Sequence, residues 1–172
     1  MNITKIIFFN FLIFLLCLSY GYCAALPQAR GPDGEKLAGI APGDRVSDVI
    51  KLLGEPEKKT EPVEEPATGY KVQKYIYKTK GIKVSVDLNE KKVIFVTIES
   101  PCVKGTLRDV KIGDPESKVR KNYLLSDSQG HAVDKSSLAN KSAFCGDVYW
   151  GIMFVFDKSG KVKSISMGAF AE

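Results

Sequence analysis

An internal repeat is the feature that most restricts how this chain can fold. Four residues recur with one spacing of 70 positions: Gly43, Asp44, Ser47 and Val49 correspond to Gly113, Asp114, Ser117 and Val119. Farther along, residues 81–87 recur as 151–157 with the same spacing of 70. After the loss of one residue, Val93, Val96 and Ile98 align with Val162, Ile165 and Met167. A shared offset across separate segments indicates a duplicated structural unit.

Each unit is predicted to begin with a short helix, at 46–53 and at 116–124. Val46, Val49, Ile50 and Leu53 have the i, i+3, i+4, i+7 spacing of one helical face. Asp44 and Asp114 precede the two helices, where a carboxylate can accept the free amides of the first turn. We therefore expect these aspartates to cap the helices.

Three strands are predicted to follow each helix. They are 71–78, 81–88 and 92–99 in the first unit, and 148–150, 151–157 and 161–168 in the second. Apolar and polar residues alternate through 82–88, which is the period of a half-buried strand. The predicted fold class is α+β, with two tandem units of helix plus antiparallel sheet and the option that the sheets join into one curved sheet.

The N-terminal region has the composition of an export signal. Residues 6–18 are apolar except for Asn10, and this run of 13 residues is shorter than the roughly 20 needed for a membrane span. Small residues at 24–25 provide a cleavage site, so 1–25 is predicted to be a signal peptide. The alternative is lipidation of Cys23, which would place the protein on a membrane surface. The remaining boundaries are a flexible segment at 26–39, a first unit at 40–101 and a second at 102–172.

Composition excludes several kinds of site. The formal net charge of +5 falls to +4 when Lys5 is removed with the signal peptide, and the remaining charges are interspersed, so no nucleic-acid partner is expected. The single histidine, His131, lies with Ser126 and Asp134 in one polar loop, which favours neither a catalytic triad nor a metal site. Glycine-rich phosphate loops are absent. We expect no catalytic residues, no metal and no cofactor.

Two cysteines remain after removal of the signal peptide, Cys102 and Cys145. An even pair in an exported protein is predicted to form a disulfide. The alternative is that one of the two thiols is a nucleophile.

Two motifs resemble a known family. The pattern Gly-Asp-x-x-Ser-x-Val-x-x-x-Leu-Gly-x-Pro at 43–56 and the pattern Gly-Ile-x-Val-x-Val-Asp at 81–87 are similar to the domain of small outer-membrane assembly lipoproteins of the SmpA/OmlA (BamE) type. Two such units in tandem resemble the β-lactamase inhibitor proteins, and the turn at 89–91 lies where those inhibitors carry an acidic loop. The resemblance covers about 40–168. It implies helices packed on an antiparallel sheet, and a role in protein–protein contact without catalysis.

Strand alternation predicts a binding surface on the sheet face that points away from the helices. Apolar residues gather there, although a sheet covered on one face normally presents polar residues on the other. The predicted contact residues are Trp150, Met153, Val155, Val148, Phe95 and Ile76. Two alternatives are that loops or the N-terminal segment cover this face, or that a bulge inverts one strand.

The functional prediction is an exported, non-catalytic protein-interaction module of the bacterial envelope, acting in outer-membrane assembly or maintenance. The alternative is a secreted or periplasmic inhibitor of a hydrolase such as a β-lactamase, and a third class is an enzyme with an unfamiliar site. The expected location is the periplasm, the outer membrane or the medium. The expected partner is an envelope or secreted protein, together with a membrane surface if Cys23 is lipidated.

Overall fold

In the part of the chain that the structure describes, the fold is α+β, with two α-helices packed on one open sheet of eight antiparallel strands. The computed structural model describes residues 34–65, 69–126, 138–146 and 150–170. The predicted signal peptide at 1–25 lies outside these residues. Among the residues described, none of the helices is long and apolar enough to cross a membrane.

The element bounds are as follows. Helix α1 is Val46–Leu53 and helix α2 is Glu116–Asn122. The first strands are β1 Lys58–Lys59, β2 Val63–Glu64, β3 Lys71–Tyr77, β4 Ile82–Asp87 and β5 Lys92–Glu99. The later strands are β6 Ser142–Gly146, β7 Gly151–Phe156 and β8 Val162–Gly168. The order across the sheet is β1-β3-β4-β5-β8-β7-β6, and β2 also pairs with β3.

We call the part of the chain with α1 and β1–β5 the first half, and the part with α2 and β6–β8 the second half. The last strands of the two halves, β5 and β8, join them into this one sheet. β5 pairs with β8 from Phe95 opposite Gly168 to Glu99 opposite Ser164. Each half therefore contributes one helix and one three-stranded meander, and the two meanders meet back to back at β5 and β8.

The same backbone hydrogen bonds fasten each helix to the hairpin of its own half. The Gly43 N–H donates to the Val93 carbonyl over 2.8 Å, and the Gly113 N–H donates to the Val162 carbonyl over 2.8 Å. A β-bulge follows Ser85 in the first half, and another follows Val155 in the second half. The sequence repeat is thus matched by a repeat in hydrogen bonding.

The two predicted capping aspartates act one turn earlier than expected. Asp44 Oδ2 accepts a hydrogen bond from the Ala41 N–H over 2.9 Å, and Asp114 Oδ2 accepts one from the Lys111 N–H over 2.7 Å. Neither helix has a side-chain cap. These carboxylates close the tight turn that leads into each helix, and so set the direction in which it begins.

The first strand of the second half differs from the prediction. It is Ser142–Gly146 rather than 148–150, and residues 147–149 lie outside the described part. Ala143 and Cys145 are buried and Phe144 is half-buried, which is the alternation of a strand with one covered face. Helix α2 also ends at Asn122, two residues before the predicted end.

Residues 35–39, the last part of the predicted N-terminal segment, pack against the linker between the halves. Leu37 is 0% exposed and lies in the core. The Ala38 N–H donates to the Gly105 carbonyl over 2.8 Å, and Leu37 forms a β-bridge with Thr106. The core therefore begins before Ile40, at Glu35.

Candidate functional site

The sheet has one face covered by the helices and one face without them, which we call the outer face. Along β4 and β7 the covered residues are buried, among them Val84 and Phe154, and their neighbours are more exposed. The strand register places one row of outer-face residues side by side: Ile76, Lys83, Thr97, Ser166, Met153 and Phe144.

Three phenylalanines meet on the outer face where β5 of the first half adjoins the second half, and we call them the aromatic cluster: Phe95, Phe144 and Phe170. The Phe170 ring stands edge-on to Phe95 at 5.1 Å between centroids, and edge-on to Phe144 at 5.4 Å. All three are half-buried. Met153 pairs with Phe144 across β6 and β7 and extends this apolar surface.

Glycines make room for the cluster. Gly146 lies opposite Gly151, Gly151 lies opposite Gly168, and Gly168 lies opposite Phe95. A Cβ atom on Gly168 would come within 2.4 Å of Phe95 Cδ2. The Phe95 ring therefore packs directly against the backbone of Gly168, and a residue with a side chain at this position would prevent that contact.

The predicted contact residues do not all come together. Met153 and Val155 lie on the outer face of the second half, Phe95 lies on the same face in the adjoining β5, and all three are half-buried. Ile76 lies on the same face, but Lys83, Thr97 and Ser166 separate it from Met153. Trp150 is half-buried in the turn just before β7, and Val148 lies outside the described residues.

Sequence reasoning missed Phe144 and Phe170. Phe144 lies before the predicted strand at 148–150 and was assigned to no element, although Ala143-Phe144-Cys145 fits the alternation of a one-sided strand. Phe170 follows the last strand, and no periodicity marks it. Phe170 follows β8 and lies on this face beside Phe95, whereas the alternative that loops or the N-terminal segment cover the face stays a prediction.

The outer face is mainly polar in the first half and mainly apolar in the second. Lys83 of β4 forms an ion pair with Glu99 of β5 at 2.7 Å, and the Thr97 and Ser166 hydroxyls hydrogen-bond at 3.0 Å. Where the first half carries Lys83 and Ser85, the equivalent strand of the second half carries Met153 and Val155. The apolar residues of the outer face therefore come mainly from the second half, and Phe95 of β5 adds to them from the first half.

The predicted disulfide is wrong. Cys102 and Cys145 are free thiols and both are buried. The structural reason is the displaced strand: Cys145 lies within β6, and β8 and β7 separate β6 from β5, after which Cys102 follows. Burial raises the pKa of each thiol. This disfavours the thiolate that a nucleophile requires.

A buried carboxylate connects the N-terminal segment to the linker between the halves. Glu35 is 3% exposed. Its carboxylate accepts hydrogen bonds from the Leu107 N–H over 2.6 Å and the Tyr123 hydroxyl over 2.8 Å, and it pairs with Arg108 Nε at 3.4 Å. Burial raises the pKa of the Tyr123 phenol well above its usual range. We interpret this network as structural, because each partner of the carboxylate is already engaged.

The prediction of no catalytic or metal site remains a prediction. Among the described residues, no group of three or more His, Cys, Asp and Glu side chains is placed to hold a metal ion. Ser126 forms a β-bridge with Phe144, whereas His131 and Asp134 lie outside the described residues.

Comparison with known proteins gives a fold likeness. No protein-family model matches the chain, and no curated protein matches it. A cysteine-rich secretory protein (SAV1118) from Staphylococcus aureus subsp. aureus Mu50 is similar, with a TM-score of 0.55 and 14% identity over 83% of this chain and 48% of that one. An extracellular protein containing a SCP domain, from Bacillus anthracis str. Ames, gives a TM-score of 0.53 and 14% identity over 74% of this chain and 43% of that one. This chain thus spans less than half the length of either protein.

These findings correct the family prediction. The resemblance to the SmpA/OmlA (BamE) domain and to the β-lactamase inhibitor proteins is wrong, since the similar structures are a secretory and an extracellular SCP-type protein. The motifs behind that resemblance are turn and helix-start signals, among them Gly43, Asp44 and Gly54. Such signals recur wherever a short helix feeds an antiparallel meander, so they specify local geometry better than family.

Proposed function

We propose that this protein is an exported, non-catalytic protein-interaction module whose contact surface is the outer face of the second half. The observation that supports it most is the aromatic cluster with Met153 beside it. Half-buried apolar residues gathered on an otherwise polar sheet face are typical of contact sites, and aromatic side chains are favoured at the centres of such sites.

Export has two independent supports. Residues 1–25 have the composition of a signal peptide, and the two similar solved structures are described as a secretory and an extracellular protein. The outer-membrane and β-lactamase parts of the prediction depended on the rejected resemblance, and we do not carry them into this proposal. An envelope or secreted protein remains the proposed partner.

We also propose that the two halves are tandem copies of one unit. The repeated hydrogen bonds from Gly43 and Gly113, and the bulges at matching places, support this finer description of the fold. The apolar outer face would then be a specialisation of the second copy.

Site-specific crosslinking in the producing cell tests the proposed surface. A photo-reactive residue at Val155 is expected to crosslink one protein, and the same residue at Lys121 on α2 is not. No protein adduct at position 155, or equal adducts at both positions, would contradict the proposal.

A pair of exchanges then tests whether the apolar side chains carry the contact. Met153→Lys and Val155→Ser introduce the residues that the first half carries at the equivalent places, Lys83 and Ser85, so the strand is expected to tolerate them. Affinity for the crosslinked partner should fall at least about tenfold. Unchanged affinity in the folded double variant would remove this surface from the proposal.

A further inference from the structure

A second apolar feature lies on the opposite side of the sheet, between α1 and the first meander. This α1 cleft has a volume of about 670 Å³. Its apolar walls come from the helix and from the strands beneath it: Val46, Ile50, Tyr75, Val86 and Leu88. Val46 and Ile50 are only half-buried, although they belong to the apolar face of α1.

The second half shows how the equivalent space is filled. Leu138 is 2% exposed and belongs to the core. Its N–H donates over 2.8 Å to Glu116 Oε2, in the first turn of α2. A single leucine at the start of the turn 138–141 therefore packs beside the helix of that half.

The first half has no such leucine at the matching position. Lys141 in the second half and Gln73 in the first half take equivalent places, opposite Phe156 and Val86. By residue count from them, Tyr70 corresponds to Leu138, although 138–141 forms a turn and the first half enters β3 directly after Tyr70. Tyr70 is 42% exposed and does not line the α1 cleft. The residue that stands in this place in the first half therefore does not fill the cleft.

The rim of the cleft is basic. Arg45, Lys91 and Lys92 lie along it, with Glu90 as the acidic residue. Glu90 is paired with Lys92 at 3.5 Å. Arg45 and Lys91 make no ion pair within the described residues. An occupant with carboxylates next to its apolar group would therefore be complementary to the rim.

We propose that the α1 cleft binds a leucine-sized aliphatic side chain from an acidic peptide segment of a protein partner. Leu138 provides the internal precedent for the side chain, and the rim provides the preference for acidic neighbours. This surface is separate from the outer face, so its test and that of the proposed function give independent answers.

A designed peptide is the probe. It copies residues 134–142 around Leu138 with Lys135→Glu and Lys141→Glu, which makes the segment acidic. It is titrated into the isotope-labelled protein without its signal peptide, and amide shifts are followed by NMR. Shifts are expected at Ile50, Val86 and Leu88, and Leu138→Ala in the peptide should weaken binding at least about tenfold.

A charge-matched pair of protein variants tests the rim. Lys91→Glu is expected to weaken binding of the acidic peptide severalfold, whereas Lys121→Glu on α2 leaves it unchanged. Absence of binding, shifts confined to another surface, or equal binding of the Leu138→Ala peptide would overturn the proposal. Binding of laurate in the cleft without binding of the peptide would also overturn it, in favour of a fatty-anion site.

Discussion

Two buried tyrosine hydroxyls differ in whether they have a hydrogen-bond partner. The Tyr123 hydroxyl donates to the buried Glu35 carboxylate over 2.8 Å. The Tyr77 hydroxyl is buried without a hydrogen-bond partner in the part of the chain that the structure describes. Burial disfavours the charged phenolate, and it raises the pKa of Tyr77 to about 12.

Replacing these two hydroxyls should have opposite effects on stability. Tyr77→Phe removes an unsatisfied group, so we expect the free energy of unfolding to be unchanged or to rise by up to about 1 kcal/mol. Tyr123→Phe leaves a buried carboxylate with one donor fewer, and it should lower the free energy of unfolding by about 1–2 kcal/mol. Urea denaturation at pH 7 measures both. A loss of more than about 1 kcal/mol for Tyr77→Phe would mean that this hydroxyl has a partner.

Tyr77 also predicts that the stability of the protein depends on pH in the alkaline range. The pKa of Tyr77 is about 12 when folded and about 10 when unfolded, so the folded state holds its proton longer. Its contribution to stability is complete below pH 10 and is lost as the pH rises from about 10 to about 12. The wild type should therefore lose more stability than Tyr77→Phe over that interval. Parallel curves for the two proteins would contradict this assignment.

The two buried thiols give a chemical prediction. At pH 8 an alkylating reagent should leave Cys102 and Cys145 unmodified in the folded protein and modify both after denaturation without reductant, since burial raises their pKa and blocks access. A cysteine introduced by Val103→Cys provides the exposed control, because Val103 is 83% exposed. Failure of both native cysteines to react in the denatured, non-reduced protein would reveal a disulfide instead.

Among the elements, helix α1 was predicted correctly because its four apolar residues carry a helical period with a glycine directly after it. Strand β6 was missed for a physical reason. The Tyr-Trp pair at 149–150 has high strand propensity, whereas Ala143 and Cys145 are small residues whose inward direction becomes evident only from the partner strand. The aromatic cluster could not be predicted without β6, which carries Phe144. It also depends on Phe170, whose position is set by the path of the chain after β8.

Strand β8 provides a test of how closely the aromatic cluster rests on the sheet. Gly168 has a φ of +149°, and an added Cβ would lie 2.4 Å from Phe95 Cδ2 and 2.7 Å from the Ile94 carbonyl oxygen. Gly168→Ala should therefore destabilise the protein by at least about 2 kcal/mol. Gly113→Ala is the control, since Gly113 also has a positive φ but open space around it, and about 1 kcal/mol is expected. Equal losses would show that the Phe95 contact is readily relaxed.

In the molecule as a whole, the sequence repeat predicts two similar halves, but it does not indicate how they are held together. The pairing of β5 with β8 is one connection. The other is Glu35, which lies before the predicted first unit and contacts Leu107 and Arg108 in the linker and Tyr123 after α2. Glu35 is one of several charged residues in a proline- and glycine-containing segment without a periodic pattern, so its burial could not be predicted from the sequence.

This arrangement predicts that the two halves unfold together and that Glu35 stabilises both. Glu35→Ala leaves the Arg108 charge and the Tyr123 hydroxyl without their carboxylate, and we expect a loss of about 3 kcal/mol in the free energy of unfolding. Hydrogen exchange of amides in β4 and β7, followed by NMR, should show equal losses in the two halves, because a shared sheet opens as one unit. Glu99→Ala is the control, since its ion pair with Lys83 is half-exposed and should contribute less than about 1 kcal/mol. Faster exchange in β7 with unchanged exchange in β4 would instead mean that the halves are separate folding units joined only by contact at β5 and β8.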